Sequence, residues 1–89
     1  MERTAVVAFA EGLHARPAAL FVKEAAARPV TVGIARPGGE PVAAASILAV
    51  LTLGVGAGEE VVLSTTEDGA DAAASLDALV SFLERGAVA

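Results

Sequence analysis

Cysteine, tryptophan, tyrosine, asparagine and glutamine are missing from this chain of 89 residues, methionine stands only at position 1, and there is a single histidine. Without cysteine there is no disulfide framework, no thiolate nucleophile and no zinc ligand set, and His14 alone cannot build a conventional metal site. Neither a metal nor a cofactor is expected, and nothing points to an oxidising compartment. The aromatic residues are Phe9, Phe21 and Phe82, and the formal charge is −5, from 6 basic and 11 acidic residues. That leaves neither the stacking platform nor the basic footprint of a nucleic-acid binder. The longest largely apolar run, residues 47–53, falls far short of the ~20 that cross a bilayer, and residues 1–4 lack the basic-then-apolar pattern of a secretory signal. The expectation is a cytoplasmic protein with no membrane insertion. The missing amides, with arginine as five of the six basic residues, lean toward a thermophilic or GC-rich source.

What is present suits one small domain over residues 1–89, which buries about 60% of its unfolded surface and holds one core without staples. Residues 4–9 are short and apolar before Glu11-Gly12, which predicts a strand. Residues 15–27 place Ala18, Phe21, Val22 and Ala25 on one helical face. Pro17 is tolerated in the first turn, where its missing N–H would have had no intrahelical partner, and Arg28-Pro29 ends the helix. Residues 30–34 alternate as a strand, 36–40 carry turn chemistry, and 41–45 return as a partner strand. Ser46 and Gly54 bracket residues 47–53 as N-cap and C′ of a short helix. Residues 60–65 form a strand, Glu67-Asp68-Gly69 a turn, and 70–85 an amphipathic helix with Ala73, Leu76, Leu79, Val80 and Leu83 near one face. The order βαββαβα, with every element needing to bury one apolar face, implies an α+β fold. Its four-stranded antiparallel sheet carries three helices on one face.

Charge is unevenly spread. Residues 12–36 hold Arg16, Lys23, Arg28 and Arg36 against Glu24 alone, whereas residues 59–84 hold seven acids and no base. Two ordinary solvated faces would account for this, and so would an anionic group or acidic partner met near Arg16. A lone histidine is by default structural or solvent-facing, but the context of His14 is informative. Gly12-Leu13-His14-Ala15-Arg16-Pro17-Ala18-Ala19 sets it at a helix N-cap, where unpaired N–H groups and the helix dipole favour an anion. Pro17 has no donor, so backbone contacts to such an anion fall to Ala15, Arg16 and Ala18. Imidazole titrates near neutrality and supplies a nucleophilic nitrogen, so His14 could accept a phosphoryl group held by the helix end and Arg16.

Here the sequence resembles the HPr phosphocarrier family of the bacterial sugar phosphotransferase system. Residues 12–18 fit that family's active-site signature. Ser46-Ile47-Leu48, followed by Leu51, Leu53 and Gly54, fits its regulatory signature at the expected separation. The resemblance spans essentially the whole chain and implies an open-faced β-sandwich of sheet order 1-4-2-3. It further implies that His14 takes a phosphoryl group on Nδ1 from phosphorylated enzyme I and passes it to the IIA components of sugar permeases, with Arg16 steadying the phosphate and the protein acting as a monomer. Ser46, a helix cap on its own showing, would by resemblance also be the target of a dedicated HPr kinase. Ile47, Leu48 and Leu51, readable as core, would by resemblance form in part an exposed patch that docks enzyme I and the IIA proteins.

Three positions depart from the family pattern. Ala45 replaces a residue that is often basic, Glu11 stands where Asn or Ser is frequent near the phosphate, and the turn at 65–69 is slightly longer. A self-sufficient enzyme is disfavoured, since no nucleophile, base and orienting acid are available together. The glycine-rich run 54–58 lacks the Lys-Ser/Thr of a phosphate loop. The rival reading is a regulatory paralogue that binds a kinase, transcription factor or nitrogen-control partner.

Overall fold

A computed structural model describes residues 1–86. The final three positions of the domain expected over 1–89 lie outside the described residues. The elements are β1 (Glu2–Val6), α1 (Ala15–Ala26), β2 (Gly33–Ala35), β3 (Val42–Ala43), α2 (Ile47–Leu53), β4 (Glu60–Ser64) and α3 (Ala70–Arg85), in the expected βαββαβα order. The strands form one antiparallel sheet in the order β1-β4-β2-β3. β1 and β2 both run antiparallel to β4, so α1 links two parallel strands across a gap that β4 fills from later in the chain, a split βαβ arrangement.

Alternation fixes the register. In β4, Val61 and Leu63 are buried while Val62 and Ser64 are half-buried on the opposite face. The pairs Ala5↔Val61 and Ile34↔Leu63 therefore point the apolar side of each strand at the helices. From above, α1 contributes Pro17, Ala18, Phe21 and Ala25, and α3 contributes Ala72, Ser75, Leu76, Leu79 and Leu83. On α3 the buried stripe is thus rotated from the expected one: Ala72 and Ser75 face inward, while Ala73 and Val80 are half-buried. The three phenylalanines meet in one cluster, with ring centroids 5.4 Å apart for Phe9 and Phe82 and 6.4 Å apart for Phe21 and Phe82.

The strand expected over 4–9 begins two residues earlier and ends at Val6. Val7 and Phe9 stay buried and Ala8 exposed, so the alternation continues, but the partners change. The N–H of Val7 donates to Glu59 O, Gly58 N–H donates to Val7 O, and Ala8 N–H donates to Leu83 O at the end of α3. Charged Glu2 and Arg3 masked the true start, since both are tolerated on an edge strand. Arg3 lies against α3, its Nε 3.2 Å from Asp77. The strands expected over 30–34 and 41–45 shrink to β2 and β3. Val30 and Val32 are buried without joining a regular ladder, Pro41 has no N–H to give, and residues 44–45 already turn into α2 through Ser46 N–H to Ala43 O at 3.1 Å. The other strand and helix boundaries fall within one residue of expectation.

Candidate functional site

His14 is the N-cap of α1, in extended backbone at φ −130° and ψ 165°, and its exposed side chain makes no capping bond. Helix geometry gives the first N–H groups no carbonyl acceptor within the helix. Pro17 has no N–H, and Ala18 donates its own to His14 O at 3.3 Å while its side chain is fully buried. Ala18, expected among the phosphate contacts, is in this geometry spent on closing the first turn. Ala15 and Arg16, the other residues of the first turn, are both exposed. Ala15 enters the helix at φ 50°, a left-handed conformation that costs an L-residue about 1–2 kcal/mol. This contorted entry, absent from any sequence pattern, is what separates the extended His14 from the regular turns after it.

The segment before the histidine is held from beneath. Gly12 is buried at φ 71°, and a Cβ there would stand 2.6 Å from Val55 O. No side chain fits. Leu13 is fully buried and donates its N–H to the same Val55 carbonyl at 2.9 Å. Val55 lies just past Gly54, the left-handed C-cap of α2, so the C-terminal end of α2 is the end nearest the histidine.

Ser46 caps the opposite end of α2. Its Oγ accepts Ala49 N–H at 3.3 Å, as the sequence pattern anticipates. Among the helix's apolar residues Val50 enters the core and Leu53 is half-buried, whereas Ile47, Leu48 and Leu51 are exposed by 40%, 75% and 37%. None of these three is core. They form an apolar strip on a helix of seven residues, an unusual concentration for a chain this small. Glu11 is exposed in the turn closed by Gly12 N–H to Phe9 O at 2.9 Å. The turn after β4 is tied down by Thr65, whose N–H donates to Met1 O at 2.9 Å and whose hydroxyl donates to Glu67 O at 2.5 Å.

The sequence did not single out Arg36 and Glu59 as a pair: Arg36 reads there as a turn residue and one of four bases in the positive stretch, Glu59 as one of seven acids. Arg36 donates from Nε to Leu53 O at 2.8 Å and from Nη2 to Gly54 O at 2.6 Å, and Nη1 lies 3.3 Å from Glu59 Oε2. Glu59 also accepts Gly56 N–H at 2.5 Å. That bond first, and the Arg36 guanidinium second, hold its carboxyl below the ordinary 4.5. The signal in the sequence was a lone arginine before a Pro-Gly-Gly turn, which has no local partner. Among the described residues no group of three or more His, Asp and Glu side chains is placed to hold a metal ion, and no helix is long and apolar enough to cross a membrane.

Residues 1–85 match the family described as the PTS HPr component phosphorylation site. The chain is 52% identical over 85 residues to a phosphocarrier protein HPr of Streptomyces coelicolor, covering 96% of this chain and 89% of that protein. It is 48% identical over 84 residues to a phosphocarrier protein HPr of Haloferax volcanii, covering 93% and 92%. Its fold is similar to the crystal structure of a phosphocarrier protein HPr from Bacillus anthracis, with a TM-score of 0.84, 34% identity and coverage of 94% and 96%.

Proposed function

The chain belongs to the HPr family of the phosphotransferase system, and we propose that it carries phosphoryl groups on His14 from phosphorylated enzyme I to the IIA components of sugar permeases. The observation that carries this reading is His14 itself: exposed, at the extended N-cap of α1, two residues from Arg16. Neutral imidazole Nδ1 attacks the phosphorus of the donor phosphohistidine; the new N–P bond forms as the donor's breaks, and the same exchange in reverse delivers the group to the acceptor. A phosphoryl group brings close to two negative charges, which the positive end of the helix dipole, the N–H groups of Ala15 and Arg16 and the Arg16 guanidinium offset. Exposure is a requirement, since two different partners must each reach the same nitrogen.

The strip of Ile47, Leu48 and Leu51 supplies the docking surface, on the helix whose exit loop bonds the segment before His14 through Val55 O and Leu13 N–H. Phosphorylation of Ser46 by a kinase would place charge where a helix N-terminus accepts it, so inhibition would come from repelling an acidic partner rather than from unfolding. The protein acts as a cytoplasmic monomer.

Incubation with enzyme I and phosphoenolpyruvate is the test. One acid-labile phosphoryl group is expected on the intact chain and none on His14→Ala; an equally phosphorylated His14→Ala chain sinks the carrier reading. Arg16→Ala should slow uptake about tenfold or more, the weight of one charge-assisted contact, with Arg16→Lys intermediate because an ammonium lacks the planar fork.

A further inference from the structure

The loop between α2 and β4 carries the carbonyl from which the His14 segment hangs, and side chains outside the site decide where that carbonyl sits. At its far end the loop is fastened to the strand exit: Val7 N–H donates to Glu59 O and Gly58 N–H to Val7 O. At its near end Arg36 reaches across from the end of β2 and bonds the carbonyls of Leu53 and Gly54, which lie where a helix runs out of its own donors. The middle is spanned by Glu59, which accepts the Gly56 N–H and faces the same guanidinium. Val55 lies between these anchors with its side chain fully buried and its carbonyl turned to Leu13 N–H.

Arg36 and Glu59 side chains remain 43% and 45% exposed, so the pair is not a filler of the core. Two of its bonds fall on the peptide groups flanking Val55, through Gly54 O and Gly56 N–H, and a third holds Leu53 O one residue earlier. We propose that Arg36 and Glu59 are positioning residues for phosphoryl transfer, a latch that fixes the loop at Val55 and, through Leu13, the placement of His14 over the first turn of α1. This rests on the reading of His14 as the phosphoryl acceptor. The latch touches neither the phosphate nor a partner. It acts by keeping Val55 O still while the histidine is approached, because small displacements of a reacting group cost rate steeply.

The test uses the full chain with Arg36→Ala, Arg36→Lys and Glu59→Gln, each melted first to establish that it is folded at the assay temperature. Phosphoryl uptake from enzyme I and phosphoenolpyruvate is measured over a range of carrier concentrations, beside amide NMR of the unphosphorylated chains. In Arg36→Ala and Glu59→Gln the Leu13 and His14 amide resonances should move while those of β1 and β4 stay, and kcat should fall about tenfold with KM little changed. Arg36→Lys should recover part of the rate, since one ammonium cannot serve two carbonyls and a carboxylate at once. Should Arg36→Ala fail to fold, Glu59→Gln decides: Glu59 uses one oxygen for the Gly56 N–H and the other for Arg36, and an amide keeps only one of them, turning an NH2 donor against the second partner while Arg36 stays on its carbonyls. Folded variants that transfer at the unaltered rate overturn the proposal, as does a loss confined to melting temperature. An unaltered chain that takes up no phosphoryl group instead overturns the reading of His14, and the latch is then judged by the amide resonances alone, unmoved resonances refuting it.

Discussion

A Cβ built on Gly12 would lie 2.6 Å from the carbonyl oxygen of Val55, the same oxygen that accepts the Leu13 N–H at 2.9 Å. The histidine segment and the exit of α2 are thus in backbone contact, with no side chain between them to yield. Gly12→Ala must bear a left-handed side chain and a displaced backbone together, and is expected to destabilise the fold by about 2–4 kcal/mol. Urea unfolding measures this. A loss below about 0.5 kcal/mol would mean that the loop at Val55 moves aside freely.

Glu59 gives the fold an acid-sensitive component. Its carboxyl is held below 4.5 by the Gly56 N–H and then by Arg36, so the folded state favours the ionised form more than the unfolded chain does. The sign follows from linkage: this stabilisation is complete above the unfolded carboxylate's pKa and is lost as pH falls through the lowered folded value. Melting temperature followed downward from pH 7 should therefore fall on the acid side more steeply for the unaltered chain than for Glu59→Gln. Parallel curves would show that the carboxylate's charge contributes nothing to the fold.

Ser75 is a buried hydroxyl on α3, 1% exposed, whose Oγ meets no hydrogen-bond partner among the described residues. Its neighbours on that face, Ala72, Leu76 and Leu79, are apolar and buried. Removing an orphaned polar atom while gaining helix propensity should stabilise, so Ser75→Ala is expected to raise unfolding free energy by about 1 kcal/mol. A decrease in the urea midpoint would reveal a bond that the hydroxyl makes.

Much of this was legible in the sequence wherever the determinant is local. Ser46 before an apolar run and Gly54 after it mark α2 because a cap and a left-handed exit are properties of single residues, and both are found in those roles. Pro17 and Arg28-Pro29 bracket α1 for the same reason. The misses are tertiary. Val7 to Phe9 alternate like a strand, but Val7 bonds to Glu59 and Gly58, Ala8 to Leu83 and Phe9 to Gly12, a choice of partner that alternation cannot encode. The stripe of α3 turned toward Ala72 and Ser75 because alanine at several neighbouring positions gives periodicity little to distinguish. At the site, Gly-Leu-His-Ala-Arg-Pro-Ala revealed the histidine and its helix. It said nothing of the loop beneath, since Arg36, Val55 and Glu59 come together only once β2, α2 and β4 are in place.

Ser46 separates capping from docking. Its Oγ accepts the Ala49 N–H, α2 has no acidic residue in its first turn, and Leu48 beside it is 75% exposed. Aspartate caps a helix as well as serine does, and its charge suits the positive end of the dipole, so Ser46→Asp should leave stability within about 0.5 kcal/mol of the unaltered chain. The same charge stands at the edge of the exposed strip of Ile47, Leu48 and Leu51, where an approaching acidic surface would be repelled. Transfer from enzyme I is expected to slow about tenfold, expressed mainly in KM, because repulsion weakens encounter and leaves His14 as it was. Ser46→Ala inverts the pattern, losing about 1 kcal/mol of stability with the missing cap while transferring normally. Melting curves and uptake kinetics on the two variants decide it: a Ser46→Asp chain that transfers at the full rate would leave Ser46 as a cap alone and place the docking surface elsewhere.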